Sequence, residues 1–332
     1  MATIIYAIMH ALLSILIPAA NIPVVFVVYN LMRRKHAKSY MFILNLAAAD
    51  LLVGVMCVVE ALDDIFDDDF DKNITFCLLR ICLTITPCIG SILTLLLISF
   101  DRYLAVRFPL YYLRIMTTRN IVVLIVSLWG ISFILGHLPL LLPSLQRSNY
   151  TGFCGLLYAA RGEYVYIICF SIFVPVLTTL IYIHIALCRI AYLQYRSIKQ
   201  TWIRTGALTA DLRHFKAVRT VLIVIACFAL SWGPYYITGV VQATCATCNL
   251  VDLLKDLLFL LGETNSLVNP LIYAFYSKDI RTQLYRLLFC QRQINSPNFR
   301  LTKAQLKGVP CQRESTDGDT KSVTASIGGQ SA

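Results

Sequence analysis

The residues of this chain best suited to chemistry are ionisable side chains set inside apolar runs. Asp50 interrupts LNLAAADLL, Glu60 lies further along the same run, Glu263 falls within FLLGETNSLVNP, and Asp101 with Arg102 closes LLLISFDRYLAV. Charged groups in apolar surroundings are costly and mark ion binding, ligand recognition or switching. A buried carboxylate left without a partner is either neutral or bound to a cationic group. Asn21, Asn265 and Asn269 add amides that need internal partners, and Pro175, Pro234 and Pro270 each remove a backbone hydrogen bond, leaving a bend that can change angle. A hydrolytic or metal-dependent centre is not evident. The five histidines (10, 36, 137, 184, 214) are scattered, and neither GxSxG nor HExxH occurs.

The elements that must carry these residues are long apolar helices. Of the 332 residues, 58% are hydrophobic and 14% charged, against about 25% charged in soluble domains. Seven apolar blocks, 4–32, 41–62, 77–106, 121–142, 164–192, 218–243 and 250–276, are each long enough to cross a bilayer. The first is too long for a signal-peptide core, lacks a basic leader and is followed by RRKHAK, so it reads as a retained span. A basic amphipathic helix over 278–289 follows, with Ile280, Leu284, Leu287 and Leu288 on one face, before a polar tail over 291–332 with the composition of a disordered segment. The predicted fold is an all-α membrane protein, a seven-transmembrane helix bundle of residues 1–290 with a short amphipathic eighth helix. Two related halves, as in a transporter, are not apparent.

Charge sets the expected orientation. Arg33, Arg34, Lys35 and Lys38, then Arg107, Arg114 and Arg119, then six cations between Arg189 and Lys216 follow the first, third and fifth spans. Lys and Arg stay cytoplasmic, which places the N-terminus outside and the C-terminus inside the plasma membrane. The net charge of +11 therefore belongs to the inner membrane face, and nucleic acid is not an expected partner. Most cysteines lie within spans as small apolar side chains, but Cys77, Cys154, Cys245 and Cys248 fall at outer positions, where Cys77–Cys154 and Cys245–Cys248 disulfides are expected. The sequons at Asn73 and Asn149 fall on the same side.

Asn21, the LxxxD ending at Asp50, Asp101-Arg102-Tyr103, Trp129, Trp232-Gly233-Pro234 and Asn269-Pro270-x-x-Tyr273 occur one to a span and in order. In this the chain resembles the rhodopsin-family (class A) G-protein-coupled receptors. Within that family FKAVRTVLIVIACFALSWGPYYITGVVQATCATC, SLVNPLIYAF and RTQLYRLL look like the insulinotropic lipid-amide receptors. The resemblance implies that Arg102 is held by Asp101 at rest and released toward the tail of a heterotrimeric G protein, with Leu110 as a second contact. It implies an allosteric sodium site of Asp50, Ser91, Asn265, Ser266 and Asn269, a donor set of hard oxygens, with no other metal or cofactor. It makes Ile92, Pro175, Phe228, Trp232, Pro234, Pro270 and Tyr273 the activation switch, although ordinary interhelical packing would also explain Ile92, Phe228 and Trp232.

Two positions depart from the pattern. Ile183 stands where many members carry a tyrosine, with Tyr182 one place early, and His214 stands where many carry an acid that clamps the arginine. A weakly latched resting state with high basal signalling is the expected consequence. Thr84 replaces the aspartate of amine receptors, which disfavours that ligand class, and Glu263 replaces the retinal-binding lysine of opsins, with Lys255 at the rim. The resemblance implies a pocket of Ile85, Cys88, Phe170, Phe173, Trp232, Tyr235, Tyr236 and Phe259, with Arg80, Thr84 and Asp256 among its polar positions. Such a lining suits an elongated lipid-like agonist with a hydrogen-bonding head. A Glu60–Arg80 pair is expected nearby, and Glu60 and Glu263 are the residues through which an amine, nucleoside or peptide ligand would act instead.

The run ALDDIFDDDFDKNIT packs six aspartates between spans two and three. Lys72 stands where a calcium loop needs glycine and Leu78 where it needs glutamate, so the run reads as a solvated outer loop. Cys290 is a candidate for palmitoylation against membrane lipids, and tail hydroxyls from Ser315 to Ser326 are candidates for phosphorylation that recruits arrestin.

Overall fold

The computed structural model describes residues 2–35, 38–66, 72–152, 154–205, 213–245, 247–248, 250 and 257–287. Residue contacts divide the chain into Met1–Leu284 and Tyr285–Ala332, the second described only over 285–287. Within the first unit lie helices α1 (Ala2–Lys35), α2 (Tyr40–Phe66), α3 (Ile74–Arg107), α4 (Pro109–Ile115), α5 (Thr118–Gly136), α6 (Leu138–Leu141), α7 (Leu156–Ala159), α8 (Gly162–Ile168), α9 (Val174–Thr205), α10 (Arg213–Thr244), α11 (Phe259–Glu263) and α12 (Asn265–Tyr276), while α13 (Lys278–Tyr285) begins in it. They form a seven-helix membrane bundle. Five of the described helices are long and apolar enough to cross a bilayer: Ile4–Arg34, Tyr40–Ile65, Ile74–Arg107, Thr118–Gly136 and Gly162–Ser197.

In a bilayer these long apolar runs form helices because a helix satisfies every backbone N–H and C=O within the segment, and side chains supply partners at some of the ends. Asn73 caps α3 by accepting the Thr75 N–H at 2.9 Å, and Thr117 caps α5 by accepting that of Asn120 at 3.2 Å. Among these five spans, α3 is the most enclosed and α5 the least. α3 contacts α2, α5 and α9, so its residues form the axis around which the others pack. Outward apolar side chains such as Ile15, Val126, Leu230 and Ile237 remain exposed, as a lipid-facing surface requires. α1 and α2 approach closely at Gly54, where an added Cβ would stand 3.0 Å from the Pro18 ring.

Three spans break where the chemistry sits. The fourth ends at Gly136, and His137 leads into the short α6. The fifth passes through a π turn, Cys169–Phe173, in which the Val174 N–H reaches the Cys169 carbonyl, immediately before Pro175. This turn re-aims the side chains of that segment, a feature frequent at functional sites. The seventh breaks between Glu263 and Asn265, and Gly262 is required there because a Cβ would lie 2.7 Å from the Trp232 ring. Beyond it, α13 buries Ile280 and Leu284 and exposes Arg281.

Candidate functional site

At the end of the bundle where α2 finishes and α3 begins, Cys77 and Cys154 are joined by a disulfide, which fixes the segment around α7 over that end. Glu60, Asp63 and Asp64 lie at i, i+3 and i+4 on the last turns of α2, so they share one face. Arg80 and Thr84, one turn apart on α3, meet them. Arg80 Nη1 contacts Asp63 Oδ2 directly and lies 3.8 Å from Glu60 Oε2. The expected Glu60–Arg80 pair is therefore secondary, because Asp63 takes the guanidinium. Thr84 Oγ1 lies 3.3 Å from Glu60 Oε1.

Behind Glu60, His10 of α1 joins the cluster. Its Nδ1 is 2.8 Å from Asp64 Oδ2 and its Nε2 is 3.6 Å from Glu263 Oε2. Glu263 is fully buried, and neither of its oxygens has a hydrogen-bond partner. A neutral imidazole donates from one nitrogen only. His10 Nδ1 can donate to Asp64, while its Nε2, at 3.6 Å, meets Glu263 by electrostatic contact and not by a hydrogen bond.

Two cavities run inward from this cluster. The first, about 60 Å³, is walled by Glu60, Arg80 and Thr84 together with Ile85, Tyr235 and Phe259. The second, about 20 Å³, shares Ile85, Leu156, Tyr235 and Phe259 with the first and ends on Cys88, Tyr236 and Trp232. They form one column, polar at the mouth and aromatic at the floor. Edge-to-face contacts fix the floor: Trp232 meets Tyr235 at 6.0 Å and Phe259 at 6.1 Å, and Phe173 stacks on Tyr236 at 4.5 Å. Phe170, expected in this lining, is instead 61% exposed and stacks on Tyr166. It lies in the π turn, which turns it to the outside. Asp256 and Lys255 lie outside the described residues.

Below Trp232 the second polar centre surrounds Asp50. Its Oδ1 accepts from Ser91 Oγ at 2.9 Å and its Oδ2 from Asn269 Nδ2 at 3.1 Å, and Ser266 also bears on it. Asn21 Nδ2 donates to the Ser266 carbonyl at 3.1 Å, tying α1 to α12. Asn265 is buried and its Oδ1 has no partner. One carboxylate, two hydroxyls and an orphaned amide oxygen fit a hard monovalent cation. No group of three or more His, Cys, Asp or Glu side chains able to hold a metal ion occurs among the described residues. Trp129 Nε1 donates to Asn45 (2.9 Å), which donates to Thr94 (2.8 Å), a bridge between α5, α2 and α3.

At the opposite end, Arg102 Nη2 lies 2.6 Å from Asp101 Oδ2, and Tyr112 of α4 donates to Asp101 Oδ1 at 2.7 Å. Burial, reinforced by this bond to a carboxylate, pushes the Tyr112 phenol up to about 12. Arg102 is half exposed, Tyr103 half-buried, and Leu110 91% exposed on α4. Between the two ends, Ile92, Phe228 and Trp232 are buried in one cluster, with Phe173 5.6 Å from Phe228. Pro175, outward on α9, is not part of it; Pro234 and Pro270 lie inside α10 and α12. Ile183 is buried and Tyr182 is 67% exposed, so the displaced tyrosine faces outward. Asn73 and Asn149 are exposed, and Cys245 and Cys248 are disulfide-bonded. The side chains of Tyr273 and His214, and Cys290 with the tail, lie outside the described residues.

Sequence reasoning missed His10, Asp63 and Asp64 as one unit with Glu263, and Tyr112 as a partner of Asp101. Only the i, i+3, i+4 spacing of the α2 acids was available as a signal.

The sequence profile described as 7 transmembrane receptor (rhodopsin family) matches residues 20–273. The chain is 34% identical over 317 residues to the glucose-dependent insulinotropic receptor of Homo sapiens, covering 94% of each chain. It is 35% identical over 285 residues to the receptor of that name from Rattus norvegicus, covering 84% of this chain and 61% of that one. The histamine H2 receptor of Cavia porcellus is 27% identical over 311 residues, 91% of this chain and 85% of that one. A seven-helix bundle with a buried carboxylate at its centre and a profile match over most of its length lead to one conclusion: the chain is a multi-pass membrane receptor, not an enzyme, and belongs to the rhodopsin family of seven-transmembrane receptors.

Proposed function

We propose that this receptor binds a small amphiphile of the lipid-amide kind in the column between Glu60–Arg80 and Trp232 and activates a heterotrimeric G protein of the stimulatory type, raising cyclic AMP. The observation that carries this reading is the shape and polarity of that column: a hydrogen-bonding mouth followed by a narrow run lined by Ile85, Tyr235, Phe259 and Trp232. An acyl chain filling the run replaces poorly packed apolar space, and a polar head meets Arg80, Thr84 and Glu60. Both cavities are small, so binding must part the helices around Tyr235 and Phe259, and that displacement bears directly on Trp232.

The same reading places the N-terminus and the disulfide end outside, with Asn73 and Asn149 glycosylated there. Inside, Asp101 holds Arg102 at rest and releases it to the G protein, with Leu110 as an exposed apolar contact. A sodium ion would be held by Asp50, Ser91, Asn265, Ser266 and Asn269, where it would supply a positive charge that stabilises the resting packing. Cys290 palmitoylation anchors the end of the eighth helix, and phosphorylated tail hydroxyls recruit arrestin. His214 supplies no negative clamp for Arg102, so ligand-free signalling is high. The test is cyclic AMP in cells displaying the receptor, without ligand and across a panel of fatty-acid ethanolamides. A basal rise over mock cells and a further, saturable response support the proposal. A flat panel at normal surface expression rejects the lipid-amide assignment, and a basal level equal to mock rejects the weak latch.

A further inference from the structure

The mouth of the column carries more negative charge than its own residues neutralise. Glu60, Asp63 and Asp64 meet Arg80 and His10, and each of these five side chains is at most 19% exposed. Even with His10 as an imidazolium, three carboxylates meet these two cations, and Glu60 is the one left over once Asp63 takes Arg80 and Asp64 takes His10. Arg80 is in direct contact with Asp63, and at 3.8 Å from Glu60 it is beyond hydrogen-bond reach of that oxygen. Glu263, wholly buried, lies behind His10 and does not line the cavity. Buried carboxylates without full compensation are strongly unfavourable unless a cation is supplied.

The cavity itself has the form that a cation requires. Glu60 stands on one side, and Tyr158, Tyr235 and Phe259 line it as well. A carboxylate with several aromatic faces is the arrangement that holds ammonium groups, since the ring faces carry partial negative charge and need no further hydrogen bonds. Thr84 Oγ1 lies 3.3 Å from Glu60 Oε1 and 3.1 Å from the Arg80 carbonyl, so its one hydroxyl proton is shared between them.

We infer that the mouth of the column takes the protonated amine of an amphiphilic ligand, with Glu60 as its counter-charge and Tyr158, Tyr235 and Phe259 as its aromatic wall. This rests on the column being the agonist site, and it narrows the agonist class from neutral lipid amides to lipids with a basic head.

Three probes with one oleoyl tail decide it: the neutral N-(2-hydroxyethyl) amide, the N-(2-aminoethyl) amide, which is protonated at neutral pH, and free oleate. In cells displaying the wild-type receptor the aminoethyl amide raises cyclic AMP at a concentration about tenfold below the hydroxyethyl amide. In Glu60→Gln that advantage disappears, so that the ratio of the two potencies falls to about one. Should Glu60→Gln not reach the surface, Glu60→Asp, which keeps the charge but draws it back from the rings, must weaken the aminoethyl amide selectively. Equal potency of the two amides, a stronger response to oleate, or an advantage that survives at Glu60→Gln overturns the inference. If no oleoyl compound signals, the agonist reading fails on its own. The cation site is then decided by the melting temperature of the purified receptor with hexylammonium against hexanol: a rise specific to hexylammonium and absent in Glu60→Gln sustains it, and no such rise overturns it.

Discussion

Asp50 and Glu263 are both carboxylates with no solvent exposure, yet they are accommodated in opposite ways. Asp50 is caged by neutral donors from two spans, Ser91 and Asn269, each within hydrogen-bond distance. Glu263 lies beside the Cys57 thiol and relies on the His10 imidazole at 3.6 Å, with the acids Glu60 and Asp64 working against it. A carboxylate held by neutral dipoles can exchange a cation without disturbing its neighbours. One held mainly by a remote charge is coupled to every residue that sets that charge, which is what a ligand-responsive mouth needs. On the function proposed above, the difference separates a centre that would tune the bundle from an end that would sense what enters it.

The largest expected effect breaks the second arrangement. His10→Ala leaves Glu263 without its cation and Asp64 without its partner, and should cost about 3–5 kcal/mol in thermal unfolding of the purified receptor. Adding Glu263→Gln should recover most of the loss, because the neutral amide no longer needs the imidazole. A single variant as stable as wild type, or no recovery in the double, would show that the triad is not coupled.

Next, Cys77→Ser frees the segment that closes the charged mouth, and about 2–4 kcal/mol should be lost. The loss should appear together with a weakened agonist response, whereas any sodium effect that depends on Asp50 should stay. Asp50→Ala, by contrast, leaves two donors without an acceptor and should cost about 1–3 kcal/mol. It should also abolish any dependence of agonist affinity on sodium measured by radioligand competition. A sodium effect that persists in this variant would remove Asp50 from the cation site.

The smallest effect lies at the inner end. Tyr112→Phe removes one bond to Asp101 and should cost about 0.5–1.5 kcal/mol. The Tyr112 phenol is raised from 10.0 to about 12, so the neutral, bonded form is favoured by folding. Its stabilisation is present below pH about 10 and is lost as pH rises through about 12. The stability difference between wild type and Tyr112→Phe should therefore be constant from about pH 6 to 9 and close at higher pH. A difference that already shrinks across neutral pH would place another group in that role.

Much of the bundle was legible because it depends on local pattern. Apolar runs of bilayer length, the proline positions and the caps at Asn73 and Thr117 are all encoded within a few residues. The Asp50 centre was legible because its partners recur at family positions. His10 was not, since Asp64 and Glu263 lie far from it in sequence and only packing of α1 against α2 and α11 brings them together. The same limit explains Phe170. Its helical register predicts an inward side chain, and the π turn Cys169–Phe173 rotates it outward at no visible cost in the sequence. Arg80 had acids on both sides of the expected choice, and only geometry showed that Asp63 takes it before Glu60.

The central claim is that an agonist lies along the column with its polar end at Glu60 and its tail on Trp232. Photolabelling of the receptor with an oleoyl amide carrying a diazirine at the tail end, followed by peptide mapping, tests it most directly. The account predicts label on Trp232, Tyr236 and their neighbours in α10, competed by unlabelled amide. Label confined to lipid-facing residues such as Phe170 and Leu230, or label on α10 that excess amide does not displace, would contradict it.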